Sequence, residues 1–476
     1  MFILSKCNNM KNSLLFLRGK TVCMAFALLT AFAACDKGVD ADETFVSDVT
    51  NSQLSSPKLE DIEFALSPDG ATLIVEWPVV HGAGGYEFTL YNVDDPENPK
   101  VVGLEKEVID GCTATRNVES DTKYQIALRT LGNEKYNNTA ATDATAVSYS
   151  TLAPTDATVP AGSNLNQWLA DNAIPADKLG KEYTIDLVPG AEYTIDNVID
   201  FEKQQVAIRG DKVNHARIKM AGSAAFLTNN GLKLKFVDLD CTEKTSDRLL
   251  GLSDTPDAAS QVTSGEYVVA NPILLQGCNI AGLKGYLFYD GSSNKYCIDY
   301  LGLNDCFVQL SQDNVVLRAA KSSIIRLDIV KSTLASSVQA GQFFLQISGQ
   351  RPNKITGRTG AEVNFKNSTF YNLAYNKDFV NWNNYRGQSC VTLNFDSTIF
   401  AECGKGDITN KMQGNANMKH NYQNNAYWYN GSGKDKYDTG ALFADPQFAN
   451  PADGKFTPGN ADFVSRSIGD PRWLAE

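Results

Sequence analysis

The segments "KSTL" (331–334), "NSTF" (367–370) and "DSTI" (396–399) set the same polar step before an apolar residue three times in the C-terminal half of the chain. Looser forms of the step stand at Asp238-Leu239, Asn279-Ile280, Cys306-Phe307 and Asn424-Asn425-Ala426-Tyr427. Taking the apolar residue of each as a marker (239, 280, 307, 334, 370, 399, 427) gives intervals of 41, 27, 27, 36, 29 and 28 residues. Intervals of this size suit one coil of a solenoid, with loop insertions in the two longer ones. Stacked coils pair each strand with those above and below and ladder their apolar residues inward. The Ser-Thr-apolar triplets are then expected at one bend, where hydroxyls satisfy turn backbone.

Toward the N-terminus, short β runs follow one another in "EYTIDLVPGAEYTIDNVIDFEKQQVAIRG" (182–210). Ahead of them, "SNLNQWLADN" (163–172) has helical apolar spacing at Leu165, Trp168 and Leu169, with Ser163 as the candidate N-cap. This helix reads as a cap, because the first coil would otherwise expose a strand edge.

Residues 58–152 have a different texture. Alternating runs at "ATLIVEWPVV" (71–80), "GYEFTLYNV" (85–93), "KYQIALRTL" (123–131) and "DATAVSYST" (143–151) are split by the turn signals "SPDG" and "VDDPENP". Short strands at this spacing predict a β-sandwich. Trp77, and Tyr124 within "ESDTKYQIAL", resemble the core tryptophan and tyrosine corner of fibronectin type III domains. The resemblance implies a spacer.

At the N-terminus, Lys6, Lys11, Arg18 and Lys20 precede an apolar run at 22–34 that is too short to span a bilayer and suits a signal peptide. Phe32-Ala33-Ala34-Cys35 resembles a bacterial lipobox. That resemblance implies cleavage before Cys35 and acyl chains on the new N-terminal cysteine. Several acyl chains, each buried methylene contributing about 0.8 kcal/mol, hold a protein on a membrane. The acid-rich stretch 36–43 and the Ser-rich stretch 51–57 read as a solvated tether over 35–57. In Bacteroidetes-type lipoproteins, acids directly after the cysteine resemble a surface-export signal. The expected location is the outer membrane, lipid-anchored and facing the medium.

The whole chain of 476 residues has a net charge of -12, which argues against general nucleic-acid binding, since phosphates demand a Lys and Arg excess. Of ten cysteines, Cys7 and Cys23 fall in the signal and Cys35 is the lipidation candidate, leaving seven with no CxxC pair. No metal site is expected from them; most read as buried apolar fillers, with one or two disulfides as the alternative outside the cytoplasm. With only His81, His215 and His420 present, a His-based metal site or triad has little support.

The second half resembles the pectin-lyase-like right-handed parallel β-helix superfamily, and within it surface lipoproteins found beside polysaccharide-utilisation genes. "VAIRGDKVNHARIKM" (206–220) looks like their early rung, and "ALFADPQFANPADGKFTPGNADFV" (441–464) with "GDPRW" (469–473) like their terminal segment. The expected fold class is all-β: a signal peptide at 1–34, the tether, a fibronectin type III-like sandwich at 58–152, and a right-handed parallel β-helix with an N-terminal capping helix at 153–476. Lyases of the superfamily use an Arg or Lys base and calcium held by Asp and Glu, so calcium is expected only if the chain is a lyase, and otherwise no cofactor. The acids Asp238, Asp240, Asp328, Asp396 and Glu402 are scattered, and no aspartate pair recurs at one-coil spacing.

Within 315–360 the charge reverses: Arg318, Lys321, Arg326, Lys331, Arg351, Lys354 and Arg358 face a single acid, Asp328. Arg318, Arg326, Arg351, Lys354 and Arg358 are candidate contacts for an anionic ligand; the competing reading pairs them with acids on neighbouring rungs. Aromatic loops follow at "NKDFVNWNNYRGQ" (376–388) and "NAYWYNGSGKDKY" (425–437). Planar rings cover the apolar faces of sugars, which makes Trp382, Tyr385, Arg386, Trp428 and Tyr429 glycan-binding candidates. The expectation is a polysaccharide-binding surface lipoprotein, its ligand anionic and pectin-like, with a TonB-dependent glycan importer as partner. The alternatives are a polysaccharide lyase or glycoside hydrolase with a diverged site, and a structural or adhesive surface protein.

Overall fold

From the third coil on, each coil of the C-terminal half turns from the long parallel sheet into the middle one at a two-residue corner. The first corner residue is left-handed: Phe236, Gly277, Asp305, Lys331, Asn367, Ser397 and Asn424 have φ between 47° and 60°. Its amide reaches one coil on, as in Lys331 N to Lys366 O (2.9 Å) and Asn367 N to Asp396 O (2.9 Å). The second residue (Val237, Cys278, Cys306, Ser332, Ser368, Thr398 or Asn425) is fully buried. Hydroxyls and an amide in this column accept the N–H groups that the corner turns inward. Cys306 N donates to Ser332 Oγ (2.9 Å), Ser332 N to Ser368 Oγ (3.2 Å) and Thr398 N to Asn425 Oδ1 (3.1 Å). A non-glycine residue in the left-handed region costs roughly 1–2 kcal/mol; the satisfied corner offsets it, because a buried unpaired amide costs a similar amount.

This computed structural model describes residues 49–474; Cys35, the signal peptide and the first part of the tether lie outside the described residues. Two compact units meet in sequence at Leu152 and Ala153. The C-terminal unit stacks parallel sheets of ten, nine and seven strands, the arrangement of a β-helix. The long sheet ends at Lys419–Gln423, the middle sheet at Ala426–Trp428 and the short sheet at Val380–Asn381. Inside, rings stack coil on coil: Phe365 on Phe395 (5.0 Å), Phe370 on Phe400 (5.1 Å) and Phe400 on Tyr427 (5.2 Å). The seven cysteines among the described residues form no disulfide with one another, and five of them are buried.

The inward ladder of the middle sheet is Leu239, Ile280, Val308, Leu334, Phe370, Phe400 and Tyr427. Two sequence markers, Phe307 and Ile399, are therefore one residue out. Phe307 pairs with Thr333, and Ile399 with Thr369, in the outward row. "DSTI" looks like "KSTL" but is shifted on its corner, with Thr398 in the place that Ser332 holds.

The outward row is covered by the C-terminal segment. Phe307 meets Phe456 and Trp473 edge-on. Thr333 Oγ1 donates to Asp470 Oδ2 (2.8 Å) and accepts from Trp473 Nε1 (2.8 Å), while Asp470 N donates to Thr369 Oγ1 (3.2 Å). At the other end the helix forms at Leu165–Asp171, but its N-cap is Asn164, whose side chain accepts from Gln167 N (3.1 Å). Ser163, the expected cap, instead donates to Pro160 O. Asn164 also bridges Thr194, beside the first strand of the middle sheet.

The N-terminal unit has antiparallel sheets of three and four strands. Its core holds Trp77 stacked on Phe88 (6.0 Å) and edge-on to Tyr86 (5.5 Å). Buried Tyr124 accepts a 2.7 Å bond from Glu119 N through its hydroxyl.

Two outcomes are expected. Ser368→Ala strips the acceptor from the Ser332 amide and should lower the C-terminal unit's unfolding free energy by about 1–3 kcal/mol in a urea titration. Burial, outweighing nearby Arg472, pushes the Asp470 carboxyl up from 3.8 to about 6. Between these values the folded chain binds the proton and the unfolded chain does not, so stability falls as pH rises from about 4 to about 6. Asp470→Asn should flatten that slope, as read from unfolding midpoints across the window.

Candidate functional site

The aromatic candidates do not form a platform. Trp382 and Tyr385 are 1% and 0% exposed and stack on each other inside the main core (5.7 Å). Trp382 Nε1 donates to Met412 O (3.2 Å), and the Tyr385 hydroxyl accepts from Ile324 N and donates to Ile324 O. Burial pushes the Tyr385 phenol well up. Neither ring can meet a glycan, which corrects the sequence expectation: both fill the stack beneath the helix Ile408–Gln413. Arg386 is exposed but tied to Asn410 O (3.2 Å). Half-buried Trp428 ends the middle sheet, while Tyr429 lies against Tyr375 (5.2 Å) and bonds Asn376.

The basic run does not form one face either. Arg318 belongs to the short sheet, Arg326 to the long sheet, and Arg351, Lys354 and Arg358 to the connection between those sheets. Arg326 pairs with Asp328 within its own strand (2.9 Å), and Arg358 pairs with Asp299 of an earlier coil (2.6 Å). The folding path disperses the +6 stretch around the coil. The lyase-type acids are dispersed as well. Asp238 bonds His215 and Asn279, Asp240 pairs with Arg217, and both lie on the middle sheet, away from Asp328 and Asp396 on the long one. Among the described residues no cluster of three or more His, Cys, Asp or Glu could hold a metal ion, so these acids do not fit a calcium site.

One candidate, Arg318, joins residues that the sequence reading passed over. On the short sheet, successive coils align Leu227, Gly251, Tyr289, Arg318, Gln346 and Asn381, and Arg248 with Tyr286. The guanidinium of Arg248 lies 4.6 Å from the Tyr289 ring centre and that of Arg318 4.9 Å from it. Arg318 also lies 5.5 Å from the Tyr286 ring centre, and its Nη1 donates to the Tyr286 hydroxyl (2.8 Å). Arg248 is neutralised by Asp247 (2.7 Å). Its place depends on absent side chains: a Cβ on Gly291 (φ 53°) would collide with the guanidinium, and one on Gly251 would crowd its stem. Arg318 has no carboxylate partner among the described residues, and its Nε is buried without a hydrogen bond.

A polar cavity of about 370 Å³ opens beside this group, lined by Asp254, Tyr289, Asp290, Ser292, Ser293 and Lys321. Its wall is rigid, because the buried Asp290 carboxylate accepts from the amides of Gly291, Ala320, Lys321 and Ser322 at 2.8–3.0 Å. A sequence signal for the group existed: Tyr289 and Arg318 are 29 residues apart (318−289), one coil, so they are neighbours on the same row.

The chain matches models of three domains of unknown function, DUF4992 over residues 10–188, DUF4957 over 191–337 and DUF5123 over 363–473. These domains are typical of Bacteroidetes-type proteins. No curated protein matches the chain. A solved chain titled "Structure of FN3tt mut" aligns with 22% of this chain and 97% of its own length, at 19% identity and a TM-score of 0.14.

The burial of Trp382 makes a direct prediction. Trp382→Ala should destabilise the C-terminal unit by about 3–5 kcal/mol, the range for removing a large core ring. Chemical denaturation checks it; an unchanged midpoint would place the ring outside the core.

Proposed function

We propose that this chain is a surface-anchored lipoprotein that binds polysaccharide in a glycan-utilisation system, on the outer face of the short sheet. The observation that carries the reading is the grouping of Tyr286, Tyr289, Arg248 and Arg318 beside a rigid polar cavity of about 370 Å³. Sugar sites combine ring faces with a few fixed polar groups in a cleft of roughly 300–1,000 Å³. The unneutralised Arg318 and exposed Lys321 favour an acidic sugar, since a guanidinium fork meets a carboxylate with two parallel bonds. Acylation of Cys35 and the tether at 35–57 rest on the lipobox and the acid-rich sequence after it, and imply a TonB-dependent importer as partner.

Two finer fold readings belong to the proposal. The stacked parallel sheets and recurring left-handed corner support a right-handed pectin-lyase-like β-helix over 153–476. The three-plus-four strand sandwich, with the Tyr124 hydroxyl on an amide five residues upstream, supports a fibronectin type III-like spacer over 58–152.

Electrophoresis of residues 36–476 through gels containing polygalacturonate or neutral glycans tests the function. Retardation by the acidic polymer is expected without new unsaturated ends. Tyr289→Ala and Arg318→Ala should each weaken it about tenfold or more, the loss of a charge-assisted contact, at unchanged unfolding midpoint. Equal retardation of both variants would remove the site; unsaturated products would favour the lyase reading.

A further inference from the structure

Beside the polar cavity lies a recess of about 190 Å³ whose floor is Val198, Ala225 and Leu227 on the outer face, with Leu252 of the core also lining it. Water-facing sheet surfaces alternate with the core and are normally polar, so aliphatic side chains lining a recess on the outer face call for an occupant. Val198 is 43% exposed, outside the core. Asp254 and Gly291 line both cavities, which makes them one cleft with a polar and an apolar half. Arg248 lines the apolar half. It is held by Asp247, by the Tyr289 ring and by the space at Gly251 and Gly291.

The recess has about half the volume of the polar cavity, which suits a substituent better than a second sugar ring. Ser223, Ser246, Asp247 and Arg248 complete its lining, so a ligand entering it keeps polar atoms at the edge and places an apolar group on the floor. We propose that this recess receives a methyl group carried by the bound glycan, and so selects a methyl-bearing sugar over its unsubstituted counterpart. The methyl can belong to a 6-deoxyhexose, a methyl ester or an O-acetyl group; all three present the same apolar surface. The inference rests on the glycan-binding reading of the neighbouring face.

The test uses affinity electrophoresis with three matched pairs: a methyl-esterified polyuronate and its saponified form, an O-acetylated glycan and its deacetylated form, and a 6-deoxyhexose-containing glycan and its hexose analogue. In one pair the methyl-bearing member should bind about fourfold tighter, the gain from burying one methyl. That preference should vanish in Leu227→Asn. Because Leu227 is half-buried, Val198→Asn serves as a second variant on an exposed side chain, with the same expected loss. Equal affinity within every pair, or a preference that survives both substitutions, overturns the inference while leaving glycan binding intact. Binding to no glycan of the panel overturns both.

Discussion

The hydrogen bond that closes each corner is the constraint on which the C-terminal unit depends. A chain that coils must turn, and a turn this tight puts one residue in the left-handed region and aims a backbone amide into the core. Neither is tolerable alone, since left-handed backbone is strained and a buried donor without a partner costs about 1–3 kcal/mol. Stacking resolves both, because the coil above supplies the carbonyl or the hydroxyl that the corner lacks. Ser332 and Ser368 answer the amides of Cys306 and Ser332. The corner is thus a property of neighbouring coils.

The three residues of "KSTL" and "NSTF" therefore do three different things. Serine turns inward and accepts an amide, threonine turns outward and receives the C-terminal segment through Asp470 and Trp473, and the apolar residue enters the stack. The period and the bend were legible because that division of labour recurs. The phase was less legible, since Ser, Thr and Asn can all satisfy a corner amide. At "DSTI" Thr398 takes the corner, and its partner is Asn425 in place of a hydroxyl. Side-chain chemistry alone leaves a one-residue ambiguity that only the register removes, and one residue moves Ile399 from the core to the covered outer row.

The candidate site failed to show in the sequence for a related reason. Counting charges or rings along the chain measures density in a direction the coil does not preserve. Seven cations within 315–360 are carried around the coil, and among the described residues two of them are paired, Arg326 with Asp328 and Arg358 with Asp299, the latter acid outside that window. Trp382 and Tyr385 sit in a loop-like stretch rich in Asn, yet the loop folds into the end of the stack, where large rings are the available filler. The residues that do meet are spaced by one coil: Gly251 opposite Tyr289, and Tyr289 opposite Arg318. In a solenoid, proximity is read down the column.

The charge on this face follows from the same geometry. Arg248 and Arg318 flank Tyr289 on the coils before and after it, two coil steps of about 4.8 Å apart along the axis. Like charges at that distance repel only weakly when one is already paired, and Asp247 pairs Arg248. Asp290 is committed to four amides and shapes the turn at 320–322, so it is no counter-ion for Arg318. The tyrosines fix the orientation of Arg318 through a ring face and a hydroxyl but do not cancel its charge. A guanidinium held rigid, half-buried and uncompensated is preorganised for an anionic group, with the entropy of ordering it already spent in folding. Were Arg318 paired like Arg326 and Arg358, this face would be a stable, neutral surface with little reason to carry a polar cavity beside it.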